Sequence, residues 1–133
     1  MILLDTHVLL WLDAGDRRLG PESRAAIDQA LREDRLACSA ISFWEVAMLV
    51  QRGRVTVRQP LAAWRDDLLA SGLLEIPVDG AIGMYAVALE SFPADPADRM
   101  IAATAHHHSY TLLTADQRIL SSDLAVKTLD ARA

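Results

Sequence analysis

Short apolar runs alternate along this chain with longer stretches whose apolar residues recur at helical spacing, and that alternation restricts it to an α/β domain on a largely parallel sheet. The runs that read as strands are Ile2–Leu4, Leu36–Cys38, Leu73–Ile76, Thr111–Leu113 and Val126–Leu129. A helix is expected directly after the first strand. Pro21 opens another that runs to Arg32, and "AISFWEVAMLVQRG" forms one closed by Gly53. "PLAAWRDDLLASG" has a proline in its first turn and stops at a glycine, as helices tend to. Two more are expected over Gly80–Glu90 and Pro96–His107. No repeat, low-complexity stretch or linker divides the chain. Residues 1–133 are therefore expected to form a single domain, large enough to bury one core without metals or disulfides.

Hydrophobic residues make up 52% of the chain, which raises the question of a membrane span, yet no apolar run approaches the roughly 18 to 20 residues one needs. The N-terminal "MILLDTHVLLWLDAGD" lacks a basic leader region and is interrupted by Asp5 and His7, so it reads as the first strand and helix of a soluble protein. The single cysteine, Cys38 in "RLACSA", has no internal partner and reads as a buried strand end, which suits a reducing cytoplasm. A net charge of −5 gives no overall field to attract nucleic acid and argues against a duplex DNA binder. It leaves room for a nucleic-acid enzyme in which a bound cation supplies the local positive charge.

Asp5 follows the first strand, Glu45 lies a few residues after the second, and Asp116 follows "TLLT" at the end of the fourth. In a parallel sheet with right-handed crossovers, all strand-to-helix junctions emerge on the carboxyl edge, where α/β proteins place their sites. Strand order does not place Asp98, which lies in "DPADRMIAATA" after a loop between two helices. Each acid also has a local structural role open to it. Asp95 suits an N-cap with Pro96 at the first helical position and Asp98 in the first turn; Ser42 and Glu45 match a capping box; Thr114 suits the cap of a short helix with Asp116 in its first turn; Asp5 suits a polar strand end. Carboxylates gathered at one edge repel, raise one another's pKa and are costly without a cation among them. Oxygen-only ligation favours Mg²⁺ or Mn²⁺ over zinc.

"LLDTHVLLWL", "SAISFWEVAML", "DPADRMIAATA" and "LLTAD", in that order and covering nearly the whole chain, resemble the PIN-domain ribonucleases, in particular the VapC-type toxins of bacterial toxin-antitoxin pairs. The resemblance implies a three-layer fold, with a central mostly parallel sheet of four to five strands flanked by helices. It places Asp5, Glu45, Asp98 and Asp116 on the family's acidic quartet, with Asp5 and Asp98 as direct ligands of Mg²⁺, for which Mn²⁺ can substitute. Thr6 and Thr114 match hydroxyl positions beside the acids. The implied reaction is endoribonucleolytic hydrolysis leaving a 5′-phosphate and a 3′-hydroxyl, and the implied partners are RNA, a cognate antitoxin and a second copy of the chain. The segment "QRILSSD" departs from the pattern, since relatives often carry an aromatic residue there.

Other features have plainer readings. "HHH" at 106–108 reads as a solvated helix end, because consecutive helical residues diverge by about 100° and cannot close on one ion. Trp11, Trp44 and Trp64 read as core or interface, since no basic residues interleave with the first two. Arg52, Arg54 and Arg58 suit a solvated turn or an RNA contact, and Arg99 suits either a phosphate or a neighbouring carboxylate. Three alternatives stay open. A phosphotransferase with Asp5 as nucleophile is expected to carry an acid where His7 stands; a phosphoacceptor domain needs a lysine opposite Asp79, and Lys127 is the only lysine; the third is a non-catalytic binding module.

Overall fold

The computed structural model describes residues 1–89 and 95–133. Five strands form one fully parallel sheet: β1 (Ile2–Leu4), β2 (Leu36–Ser39), β3 (Leu74–Ile76), β4 (Thr111–Thr114) and β5 (Thr128–Asp130), in the order β3-β2-β1-β4-β5. Among the described residues seven helices surround it: α1 (Thr6–Ala14), α2 (Pro21–Arg32), α3 (Ala40–Gln51), α4 (Leu61–Ala70), α5 (Gly80–Ala88), α6 (Pro96–His108) and α7 (Gln117–Leu120).

Successive strand residues point to opposite faces, and the central strand shows it directly. Leu4 belongs to a core with Leu9, Trp11, Ile27, Val46 and Trp64 beneath α1 to α4. Leu3 belongs to a second core with Ile82, Ile101, Ala105 and Ile119 beneath α5 to α7. Both leucines are fully buried, which accounts for strands that are apolar on both faces rather than alternating. The result is the three-layer arrangement implied by the resemblance. No described helix is long and apolar enough to cross a membrane.

Several element ends differ from the sequence reading. Leu73 is buried but outside the ladder, because its N–H bonds to Leu68 O and closes α4. Pro60 stands at the cap of α4 rather than in its first turn. The last strand begins at Thr128, where pairing with Leu112 starts, while Val126 packs into the second core from the preceding connection. The helix expected to reach Glu90 ends at Ala88, and Glu90 lies outside the described residues.

The C-terminal turn is fastened to the sheet and to α2. Ala131 N–H donates to Thr114 O at 2.8 Å, Gly20 N–H to Ala131 O at 2.9 Å and Glu22 N–H to Ala133 O at 2.9 Å. A Cβ on Gly20 would stand 2.2 Å from the Ala133 carbonyl carbon, so this close backbone approach requires glycine.

Candidate metal centre

With all five strands parallel, β1, β2 and β4 deliver their following residues to one edge. Asp5 leaves β1 with its N–H bonded to Leu113 O and caps α1: Oδ1 accepts from Thr6 N–H at 2.8 Å, while Oδ2 accepts from the Thr114 hydroxyl at 2.7 Å. The same Thr114 oxygen accepts from Asp116 N–H at 3.1 Å, so one β4 side chain links two of the acids. Asp5 is buried, and burial pushes its carboxyl above the ordinary range against the two hydrogen bonds.

Glu45 lies in the second turn of α3. The capping-box expectation for Ser42 fails, because β2 runs into α3 with no residue between and Ser39 becomes the cap, accepting from Ile41 N–H at 3.2 Å. Ser42 instead accepts from the Thr6 hydroxyl at 2.9 Å, which fixes α1 against α3. Glu45 is thereby left without a capping role. Its Oε1 is buried with no hydrogen-bond partner among the described residues. Burial raises its pKa first, opposed by the nearby Thr6 hydroxyl, and Asp95 and Asp5 raise it further.

Asp98 is brought in by α6. Asp95 caps that helix by accepting from Asp98 N–H at 2.9 Å, with Pro96 in its first turn as expected. The local role thus belongs to Asp95, and the Asp98 carboxylate is turned toward its fellow acids. Carboxylate oxygens of Glu45, Asp95 and Asp98 lie within 4.8 Å of one another. Asp98 is pushed up to about 8, by burial first and then by Asp5, Asp95, Glu45 and Asp116. Asp95, expected only as a cap, also joins the cluster; the D-x-x-D spacing, which sets cap and third helical residue on one side of the first turn, is the signal for it in the sequence.

Asp116 is itself the cap of α7, where Thr114 was expected, and accepts from Arg118 N–H. The Arg118 guanidinium pairs with it at 3.0 Å and holds its carboxyl below the usual range. Asp5, Glu45, Asp98 and Asp116 all line one cleft of about 410 Å³, together with Asp95, His7, Trp11, Ala115, Arg18, Arg118 and Arg132. An unpartnered buried carboxylate oxygen and an acid that resists ionisation both fit a hard divalent cation as the missing counter-charge.

The arginines singled out in the sequence do not line the acidic cleft itself. Arg99 donates to Leu89 O at 2.9 Å and borders a small hollow with Ala86, Val87, Pro96 and Met100. Arg52 and Arg54 line a groove between α1 and α3 that shares His7, Glu45 and Asp95 with the acidic cleft, and Arg58 lines a hollow beside Trp64. His106 stacks on Tyr85 while His107 and His108 are exposed, so the triplet does not gather on one point. Trp11 and Trp64 are buried, whereas Trp44 is exposed. Lys127 precedes β5 and so stands at the amino edge of the sheet, away from the acids, which leaves the phosphoacceptor alternative without its lysine.

The PIN domain family model matches residues 2–123. The chain is 40% identical to Ribonuclease VapC22 of Mycobacterium tuberculosis (strain ATCC 25618 / H37Rv) over 121 residues, 90% of either protein. Among solved structures it resembles FitAcB from Neisseria gonorrhoeae, with 26% identity, a TM-score of 0.63 and 98% of each chain covered. It shares its fold with a toxin-antitoxin complex from Klebsiella pneumoniae, at 21% identity, a TM-score of 0.69 and 98% of each chain.

Proposed function

The chain belongs to the PIN domain family, and on that premise we propose that it is a divalent-metal-dependent endoribonuclease acting as the toxin of a toxin-antitoxin pair. The observation that carries the proposal is the convergence of Asp5, Glu45, Asp95 and Asp98 from three separate elements on one cleft, with Glu45 Oε1 buried and without a hydrogen-bond partner among the described residues. The relative named as a ribonuclease supports the reaction class.

In this reading Asp5 and Asp98 would hold Mg²⁺, or Mn²⁺ in its place, with Glu45 and Asp116 completing the acidic set. A cation held there would supply the charge to lower the pKa of a water and to offset charge building on the scissile phosphate. The protein's part is to fix the oxygens. Thr114 and the Thr6 amide orient Asp5, the Asp95 cap orients the first turn of α6, and Arg118 tethers Asp116. Asp98 must shed its proton for a cation to enter, so affinity should rise with pH up to about 8. The products are a 5′-phosphate and a 3′-hydroxyl.

The proposed partners are RNA, a cognate antitoxin and a second copy of the chain in the cytoplasm. The dimer is supported by Met84 and Val87, which are 73% and 76% exposed on α5 and close enough in sequence to share a surface. The test of the activity is incubation of the purified protein with RNA in EDTA and in magnesium, beside Asp5→Asn and Asp98→Asn. Cleavage by the wild type in magnesium alone, absent from both variants, is expected. Undiminished cleavage in EDTA, or by either variant, removes the assignment.

A further inference from the structure

We infer that Arg132 is a substrate-binding residue of this cleft, gripping an RNA backbone phosphate beside the one cleaved; the inference rests on the nuclease reading above. A chain of net charge −5 that gathers acids around its site repels a polyanion, so a cation at the centre needs help from fixed positive groups at the rim. Three arginines line the cleft: Arg18, Arg118 and Arg132. Arg18 is forked onto Asp16 at 2.7 Å and Arg118 onto Asp116 at 3.0 Å, so each carries its own counter-charge. Arg132 forms no ion pair among the described residues. Its Nη1 donates to Ala115 O at 2.7 Å, its guanidinium lies over the Trp11 ring at 5.4 Å, and the side chain is exposed.

The guanidinium is also held in place. Arg132 N–H donates to the Asp130 side chain at 2.9 Å, and the residue on either side is bonded to α2 or β4. One anchor is Thr114, whose hydroxyl orients Asp5, so the arginine and the metal-site acid share a support. Most donors of the planar fork remain available, which suits a phosphate, and little freedom is left to lose on binding. Lysine would supply the charge without the fork.

The test is steady-state cleavage of a labelled single-stranded RNA in magnesium by the wild type, Arg132→Ala, Arg132→Lys and Arg35→Ala, with KM followed against salt. Arg35 is a control, since it precedes β2 at the amino edge and pairs with Glu33 at 2.8 Å. Arg132→Ala should raise KM roughly tenfold, the size of one charge-assisted hydrogen bond, with a much smaller change in kcat. Its log KM against log salt should flatten by about 0.7, as for one lost single-strand phosphate contact. Arg132→Lys should recover the salt slope but only part of KM, and Arg35→Ala should match the wild type. Magnesium should still raise the melting temperature of Arg132→Ala, which separates a binding role from a structural one. A wild type that cleaves, beside an Arg132→Ala with the same KM and salt slope, overturns the assignment of Arg132 alone. A fall in kcat together with loss of the magnesium-induced stabilisation also overturns it. A wild type that does not cleave overturns the nuclease reading and this inference with it.

Discussion

Replacing Asp98 by asparagine should make the metal-free protein more stable, and the gain should depend on pH in a definite way. The carboxyl is moved from its ordinary 3.8 to about 8. At about 1.4 kcal/mol per tenfold, that interval corresponds to at most roughly 5 to 6 kcal/mol. Asp98 is only half-buried, so water screens the interaction and roughly 1 to 3 kcal/mol is the realistic range. Below pH 4 the side chain is protonated in folded and unfolded chains alike, and no difference arises. Between about 4 and 8 the folded chain keeps a proton that the unfolded chain has released, so stability falls as pH rises, and above 8 the whole cost is present. The asparagine variant lacks this cost, and the local loss is limited because the helix cap is made by Asp95. Thermal melts in EDTA should therefore give similar curves for the two proteins near pH 4 and a more stable variant near pH 9. At a few degrees per kcal/mol, the separation should be about 3 to 12 °C. Added magnesium should narrow or reverse the difference, since saturation to 100 times Kd stabilises the wild type by about 2.7 kcal/mol and the variant should lose most of that. Parallel curves at all pH values, or a variant less stable throughout, refute the reasoning.

Thr114→Val keeps the shape of the side chain but removes the donor to Asp5 Oδ2; it should cost about 1 to 3 kcal/mol in urea unfolding by leaving a buried carboxylate oxygen unpaired. Gly20→Ala forces a Cβ into the Ala133 carbonyl; it should destabilise by roughly 1 to 3 kcal/mol in urea unfolding. Met84→Lys with Val87→Lys should shift the protein from dimer to monomer by light scattering without lowering the melting temperature of the monomer, since both side chains are exposed.

The architecture was legible because each strand is a short apolar run between helical periods, and strand order alone sent Asp5, Glu45 and Asp116 to one edge. Asp98 was not legible from the residues: its position depends on α6 packing against α3 and α5, which no local pattern encodes. The family resemblance supplied it. The misplaced caps err in opposite directions: β2 passes into α3 with no residue between, so the capping role falls back from Ser42 to Ser39, whereas Ala115 and Asp116 separate β4 from α7 and the cap moves on from Thr114 to Asp116. The surroundings of Trp11 are set at longer range. No basic residue interleaves with it in sequence, yet Arg18 and Arg132 both lie over its ring, the second brought there by the C-terminal turn.

A divalent cation site closed by Asp98 can be titrated by calorimetry, with Mn²⁺ added to the metal-free wild type and to Asp98→Asn near neutral pH in buffers of different ionisation enthalpy. The wild type should bind the ion and release a proton, because Asp98 titrates at about 8 and must ionise to serve as a ligand. The variant should bind far more weakly and release none from that position. No binding by the wild type, or equal affinity and equal proton release in both proteins, would rule out Asp98 as a ligand of a cation in this cleft.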